Sequence, residues 1–184
     1  MRKVIYWVHT SVDGFVDGPN GEFDWTSMGP ELSAYATEVH DRVDTFLYGR
    51  PVWEMMSAYW PTADQVSDHP HDIEFAPIWR STPKIVFSRT LRGPLDHGAR
   101  LAGVAELTAL KSAPGKDLLL NGGSQLAGVL AEHGLLDEIQ VMVHPVVLGG
   151  GKQVLPLDKT RLNLDLVNSR TLDGRVVLLS YVPR

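Results

Sequence analysis

"LLLNGGSQ", residues 118–125, is the stretch that most directly predicts the fold. It is a short apolar strand that passes through two glycines into a segment with helical spacing, "LAGVLAEHGLL". A strand–turn–helix of this kind is typical of a phosphate-binding turn in an α/β protein. The stretch lacks both the lysine of a Walker loop and the third glycine of G-x-G-x-x-G, so neither motif explains the turn.

Two further turns have the same layout. The strand "TFLYG" (45–49) runs directly into a helix that begins with Arg50, and the strand "PKIVFS" (83–88) is followed by Arg89 and Thr90. Each turn alone is also consistent with an ordinary packing turn. Ligands of open α/β sheets bind outside the carboxyl ends of the strands. Three such turns at one edge therefore indicate a binding site.

The remaining chain alternates strands and helices. The sequence predicts strands at 3–9 and 137–148, helices at 30–43, 50–60 and 103–112, and a hairpin over 163–182 that turns at Asp173-Gly174. Residues 61–72 are polar and predict a surface excursion, and 73–81 a short helix that Pro77 weakens. The pattern predicts an α/β fold of three layers in one domain: a mixed, mostly parallel sheet flanked by helices, with a C-terminal antiparallel hairpin.

Composition excludes several classes of protein. A net charge of −5 over 184 residues argues against a nucleic-acid-binding surface. No stretch approaches the length of a membrane span, and the N-terminus has no secretory pattern. The absence of cysteine excludes disulfides and thiolate chemistry. We expect a cytoplasmic protein that acts on a small molecule.

Taken in order, "SVDGFVDGPNGEFDW", "LYGRPVWE", "PKIVFSRTL" and "LLLNGGSQLAGVLAEHGLLDEIQVMVHPVVLGGGKQVLP" resemble the dihydrofolate reductase-like superfamily. The resemblance spans nearly the whole chain. It is greatest to the reductase domain of bifunctional riboflavin biosynthesis proteins and its stand-alone bacterial relatives. It implies NADPH as the cofactor and a homodimer as the assembly.

The resemblance also implies the cofactor-binding positions. Gly49, Arg50 and Val52 match the motif that contacts the adenosine 2′-phosphate and the pyrophosphate, and Ser88, Arg89 and Thr90 match a second clamp on the adenosine side. The glycine turn, which comprises Asn121, Gly122, Gly123, Ser124 and Gln125, matches the pyrophosphate contact. The opening stretch then resembles a dinucleotide-binding turn outside the Rossmann family.

Three residues are candidates for the chemistry. Asp13, in "SVDG", matches a recurrent motif of the riboflavin-type branch, although Asp-Gly is also a turn former. Glu31, in the first turn of a helix, lies near the position of the pocket carboxylate of dihydrofolate reductase, although helix dipole compensation alone would favour it there. Trp25 ends a glycine-rich loop (10–25) that resembles the mobile lid of the family, and it could form a pocket wall or anchor the loop.

Two other segments bear on the site. The His-x-His of "SDHPHD" (67–72) has no evident third partner, so we expect a solvated excursion and no metal. The loop "LGGGKQVLP" (148–156) resembles a segment near the nicotinamide and the dimer contact.

The resemblance predicts an NADPH-dependent reductase of a C=N or C=O bond in a small heterocyclic or ribosylaminopyrimidine-like substrate. Two alternatives stay open. One is dihydrofolate reductase, which the sequence around Glu31 disfavours. The other is a nucleotide-binding protein without turnover.

Overall fold

Strand β1 (Val4–Thr10) lies in the middle of an eight-stranded sheet in the computed structural model, which describes residues 1–158 and 161–184. It pairs in parallel with β5 (Asp117–Asn121) on one side and with β6 (Glu138–Val143) on the other. Six of its seven residues are buried. Its nearly continuous apolar sequence is therefore that of a strand covered on both faces, as predicted.

The strand order is β4-β3-β2-β5-β1-β6-β8-β7. The pairs from β4 to β6 are all parallel, and those of β6 with β8 and of β8 with β7 are antiparallel. The predicted mostly parallel sheet with a closing antiparallel hairpin is thus confirmed. The other strands are β2 (Val43–Gly49), β3 (Lys84–Phe87), β4 (Ala99–Ala102), β7 (Leu164–Leu172) and β8 (Val176–Pro183).

Helices cover both faces of this sheet. Their bounds are α1 (Pro30–Arg42), α2 (Arg50–Tyr59), α3 (Ala63–Val66), α4 (Pro70–Ser81), α5 (Val104–Ser112) and α6 (Ser124–Glu132). Side chains of α1, α2 and α4 share one apolar core, in which Trp79 is fully buried and its Nε1 donates to the Tyr48 hydroxyl at 3.0 Å. Side chains of α5 and α6 form a second core on the opposite face. None of the helices in the described ranges has the length and apolarity needed to cross a membrane.

The structure differs from the predicted elements in three places. Residues 61–72 contain α3 and the start of α4, where Pro70 suits a first turn and Asp72 lies near the positive end of the helix dipole. Strand β4 was not predicted, because it is a four-residue edge strand and largely half-exposed. Strand β6 ends at Val143 and not at residue 148, since Pro145 has no N–H to continue the ladder.

Candidate functional site

A cleft of about 1200 Å³ lies at the carboxyl ends of β1, β2, β3 and β5. Three helices begin at its wall, namely α2, α5 and α6, and their N-caps are Gly49, Gly103 and Gly123. Glycine has no side chain to cap the first-turn amides. The N-termini of α2 and α6 therefore offer free N–H groups and the positive end of a helix dipole to a ligand in the cleft.

The glycine turn between β5 and α6 has a left-handed backbone. Gly122 and Gly123 have φ values of +65° and +76°, which explains why glycine occupies both positions. A Cβ on Gly123 would lie 3.7 Å from both Gly49 N and Val52 Cγ2, so the chain itself leaves room for a methyl group. Just beyond the turn, Ser124 Oγ is buried and has no hydrogen-bond partner among the described residues. The turn thus leaves polar groups unsatisfied beside an open space.

Two arginines line the cleft on the neighbouring turns. Arg50 donates from Nη1 to Thr90 Oγ1 at 3.0 Å and from Nε to Glu54 Oε1 at 2.7 Å. The side chain of Arg89 is exposed and has no ion-pair or hydrogen-bond partner in the described ranges. Ser88 Oγ shapes this turn by accepting from Leu91 N at 3.0 Å. The cleft therefore has guanidinium groups on the turns that follow β2 and β3.

The structure brings all eleven predicted cofactor-binding residues to this one cleft. Asn121, at the end of β5, donates from Nδ2 to the Tyr48 hydroxyl at 3.3 Å. The lining includes Gly49, Arg50, Val52, Ser88, Arg89, Thr90, Asn121, Gly122, Gly123, Ser124 and Gln125. Three turns that are far apart in the sequence thus form one surface.

The three predicted catalytic residues lie outside the lining of the cleft. Asp13 braces a loop: its carboxylate accepts from Leu148 N at 3.1 Å and from Gly149 N at 2.8 Å. Hydrogen bonds, chiefly from Ser11 and also from those two amides, lower the pKa of Asp13 to about 2. A carboxylate held in this way is suited to ordering the loop and poorly suited to delivering a proton near neutral pH.

Glu31 lies in the first turn of α1, on the side that meets the β7–β8 turn. Its carboxylate accepts a hydrogen bond from Asp173 N, and Asp173 Oδ1 accepts in return from Glu31 N at 2.8 Å. The α1 residues that line the cleft are Ala36 and His40. Ala36 follows Glu31 by five positions, which turns it about 140° around a helix of 3.6 residues per turn. The part of α1 that lines the cleft therefore presents an apolar residue and an imidazole, and Glu31 lies on another side of the helix.

Trp25 is not part of the cleft lining and contacts residues next to it. Its ring meets that of His144 edge to face, with centroids 5.5 Å apart, and its Nε1 donates to Glu22 O at 3.3 Å. Phe23 and Met28, on either side of it, do line the cleft. The anchoring interpretation of Trp25 thus accounts for its contacts.

The glycine-rich loop is bound to the segment 146–154 along its first half. Val12 N donates to Val146 O at 2.8 Å, and Val16 N donates to Lys152 O at 2.9 Å. Lys152 also forms an ion pair with Asp17, and both line the cleft. These contacts hold residues 11–18 in place, so any lid movement would be confined to the part of the loop beyond them.

Sequence reasoning missed a group of aromatic rings that lines the cleft, here called the aromatic pocket: His40, Trp60, His71 and Phe75. Phe75 stacks on His40 with centroids 4.6 Å apart, and Trp60 meets Phe75 edge to face at 4.6 Å. His71 belongs to the His-x-His segment that was predicted to be a solvated excursion. The available signal was the spacing of His71 and Phe75, which places both on one face of a helix.

Two histidines are in contact at the cleft end of the central strands: His9 belongs to β1, and His144 directly follows β6. His9 Nδ1 is 2.8 Å from His144 Nε2, and Trp7 Nε1 donates to His9 Nε2 at 3.3 Å. If His9 is neutral, the Trp7 bond leaves its proton on Nδ1, which then donates to His144. Burial, with a smaller contribution from His144, lowers the pKa of His9 to about 3. No group of three or more potential metal ligands occurs among the residues that the structure describes.

Comparisons with known proteins agree with this architecture. The pattern of the RibD C-terminal domain matches residues 2–178. The protein YyaP of Bacillus subtilis (strain 168) is 37% identical over 183 residues, which cover 98% of this chain and 94% of YyaP.

Two solved structures share the fold at lower identity. A protein of Shewanella sp. PV-4 assigned to riboflavin biosynthesis has a TM-score of 0.75 at 20% identity and covers 100% of this chain and 99% of its own. Dihydrofolate reductase from Enterococcus faecalis, complexed with NADP(H) and RAB-propyl, has a TM-score of 0.64 at 13% identity, covering 100% and 96%. Because the RibD C-terminal pattern spans nearly the whole length, this chain belongs to the RibD C-terminal domain family.

Proposed function

We propose that this protein is an NADPH-dependent reductase that transfers hydride to a C=N or C=O bond of a small heterocyclic substrate. The observation that carries the proposal is the convergence of three strand-end turns on one cleft, where α2 and α6 begin with glycine N-caps. The family and the reductase-like fold support it, and the Enterococcus reductase of the same fold is complexed with NADP(H).

The glycine turn fits a pyrophosphate. The first-turn amides of α6 are free of side-chain caps, and Ser124 Oγ is buried without a partner in the described part of the chain. A phosphate oxygen would satisfy such groups, and the positive end of the helix dipole favours its charge. Gly122 and Gly123 would let the backbone approach that phosphate closely.

The adjoining turns fit a further phosphate. Arg50, Arg89 and Thr90 offer two guanidinium groups and a hydroxyl, and the Arg50–Thr90 hydrogen bond at 3.0 Å ties two of the three turns together. In a protein with a net charge of −5, local cations of this kind would be needed to hold the extra 2′-phosphate of NADPH. The preference for NADPH over NADH would then reside in these side chains.

The bound cofactor would supply the hydride, and the chain would bind, orient and exclude water. Hydrogen bonds that the Leu148 and Gly149 amides donate to the Asp13 carboxylate, together with the Asp17–Lys152 ion pair, hold the loop that closes one side of the cleft. Because the α1 residues that line the cleft are Ala36 and His40, this helix offers no carboxylate there to accept the paired hydrogen bonds that a pterin ring donates. This favours a substrate other than dihydrofolate.

The test combines cofactor binding with turnover. We expect NADPH oxidation with at least one compound of a panel that contains dihydrofolate, a ribosylaminopyrimidine and a quinonoid pterin. Gly123→Val should raise the Kd of NADPH and of NADH at least about tenfold, because the side chain would occupy the space of the shared pyrophosphate. Gly134→Val is the matched control: Gly134 has a similar φ of +64° at the other end of α6, outside the cleft.

Equal cofactor affinity in Gly123→Val and Gly134→Val would mean that the glycine turn binds no pyrophosphate. Cofactor binding without turnover on the panel would favour the nucleotide-binding alternative.

A further inference from the structure

The aromatic pocket differs in chemistry from the turns that carry the arginines. Its four rings come from α1, α4 and the residue that follows α2, and they contact one another through Phe75. Met28 and Met56 also line the cleft and pack against the same core. A surface of stacked rings and thioethers is suited to a flat, apolar or weakly polar ring.

The polar atoms of this pocket belong mainly to imidazoles. His71 Nδ1 lies 2.9 Å from Ser33 Oγ, while its Nε2 has no partner in the described ranges. Burial, chiefly, lowers the pKa of His71 and lowers that of His40 to about 4. Both rings are therefore neutral near pH 7. A neutral imidazole can donate or accept one hydrogen bond, which suits a ring carbonyl or ring nitrogen and gives no Coulombic attraction to an anion.

Cations are scarce for a substrate in this cleft. Its lysines and arginines, within the described lining, are Arg50, Arg89 and Lys152. The two arginines lie on the turns that we assign to the cofactor, and Lys152 is paired with Asp17. The other carboxylate of the lining, Asp72, already accepts from Tyr59 Oη at 2.8 Å and from Ser67 Oγ at 2.6 Å. With both arginines occupied by the cofactor, a substrate phosphate would find no unpaired lysine or arginine in the described lining, and Asp72 would repel it.

We propose that the aromatic pocket binds the planar ring of an uncharged substrate, a heteroaromatic or quinonoid compound without a phosphate ester, and discriminates against the phosphorylated form of the same ring. This inference rests on the proposed function, because it takes the aromatic pocket as the part of the cleft that binds the substrate. The stacked rings hold the plane of the substrate, and His71 Nε2 meets a polar atom on its edge.

The experiment uses two compounds that differ only in a phosphate group, a ribosylaminopyrimidine and its 5′-phosphate. Binding of each to the full chain is measured by tryptophan fluorescence with NADP⁺ present at saturation, after the cofactor itself has been titrated separately. We expect the unphosphorylated compound to bind at least about tenfold more tightly, since the phosphate must lose hydration without gaining a cation. Equal or tighter binding of the phosphate, or no binding of either compound, would overturn the proposal.

A second experiment introduces a positive charge into the aromatic pocket. His71→Lys should tighten binding of the phosphate at least about fivefold relative to the unphosphorylated compound. His133→Lys is the matched control, because His133 is exposed at the end of α6 and outside the cleft. If the ratio of the two Kd values, phosphate to unphosphorylated compound, were identical in both variants, the assignment of His71 would be contradicted. The separate cofactor titration distinguishes the two failures: loss of NADPH binding counts against the proposed function, whereas a preference for the phosphate counts against this inference alone.

Discussion

Arg50 and Thr90 are joined by a 3.0 Å hydrogen bond, although forty positions separate them in the sequence. The bond links the start of α2 to the turn after β3, and both residues line the cleft. Arg50 is also paired with Glu54, one turn further along α2, at 2.7 Å. The residue that we assign to the 2′-phosphate of NADPH is therefore partly neutralised by its own helix.

Breaking the Arg50–Glu54 pair should tighten the binding of NADPH. Glu54→Gln should lower the Kd of NADPH about two- to fivefold, because it removes an exposed i,i+4 pair and a charge that repels phosphate. NADH affinity should stay the same. Glu38→Gln, on the exposed side of α1, is the control. Isothermal titration measures both cofactors, and a weaker affinity for NADPH in Glu54→Gln would contradict the role of Arg50.

The buried histidines predict how stability depends on pH. Burial lowers the pKa of His9 to about 3 and that of His144 to about 4. Below pH 6.5 the unfolded chain takes up protons that the folded chain does not, so the free energy of unfolding should fall as the pH drops from 6.5 to 5. The slope from each histidine approaches about 1.4 kcal/mol per pH unit.

Urea unfolding at pH 7.5, 6.5, 5.8 and 5.0, roughly the window in which histidines titrate when unfolded, measures this slope. His144→Gln should be less stable at pH 7.5 and should lose less stability on acidification than the native chain. If the free energy of unfolding of His144→Gln changed with pH as steeply as that of the native chain, the His9–His144 pair would not be the source of the pH dependence.

Glu31 is expected to matter for stability more than for catalysis. Its carboxylate accepts from Asp173 N, its own N–H donates to the Asp173 carboxylate, and it lies outside the lining of the cleft. Glu31→Gln should therefore leave kcat/KM within about twofold, well below the tenfold change that 1.4 kcal/mol of lost transition-state stabilisation would give. Steady-state kinetics on the substrate found in the panel measures this. A tenfold loss with unchanged NADPH affinity would restore Glu31 as a substrate-binding residue.

The exposed edge strand β7 leads us to expect a dimer. Strand β7 is exposed along most of its length, and Leu166 and Val167 are 56% and 57% exposed. Exposed apolar edge strands tend to pair with another chain, and we propose a two-fold symmetric homodimer through the β7–β8 region. Light scattering at micromolar concentration should give twice the mass of one chain. Val167→Glu should shift it towards the monomer, whereas Val66→Glu, at an exposed valine of α3, should not; a monomeric native protein would refute the dimer.

Apart from the short edge strand β4, the sequence was sufficient to predict the strands of the sheet and the three turns, because both depend on local patterns. A nearly continuous apolar run predicts a central strand such as β1, and a strand followed by glycine and a helix predicts a ligand-binding turn such as Gly122–Gly123. The parallel order then brings these turns together without further information.

The aromatic pocket depends instead on tertiary contacts. His71 lies in a polar segment with two prolines nearby, which resembles a loop, and only its stacking on Phe75 shows that it faces the cleft. The contacts of Glu31 are tertiary as well: its sequence position suggests a substrate contact, whereas in the structure the β7–β8 turn lies against α1 and binds it through Asp173. Local spacing places His71 and Phe75 on one helix face, but it shows neither that this face lines the cleft nor that Glu31 meets Asp173.

We propose above that the cleft binds NADPH through Arg50 and Arg89. The most direct measurement is the Kd of NADPH and of NADH for the native chain and for the Arg50→Ala/Arg89→Ala double variant, at low and high salt. Charge-assisted contacts contribute roughly 1.5–3 kcal/mol each, so NADPH should bind at least about tenfold more tightly than NADH, with a preference that weakens as salt rises. The double variant should lose most of that preference and keep nearly native NADH affinity. Equal affinity of the native protein for the two cofactors would contradict the claim.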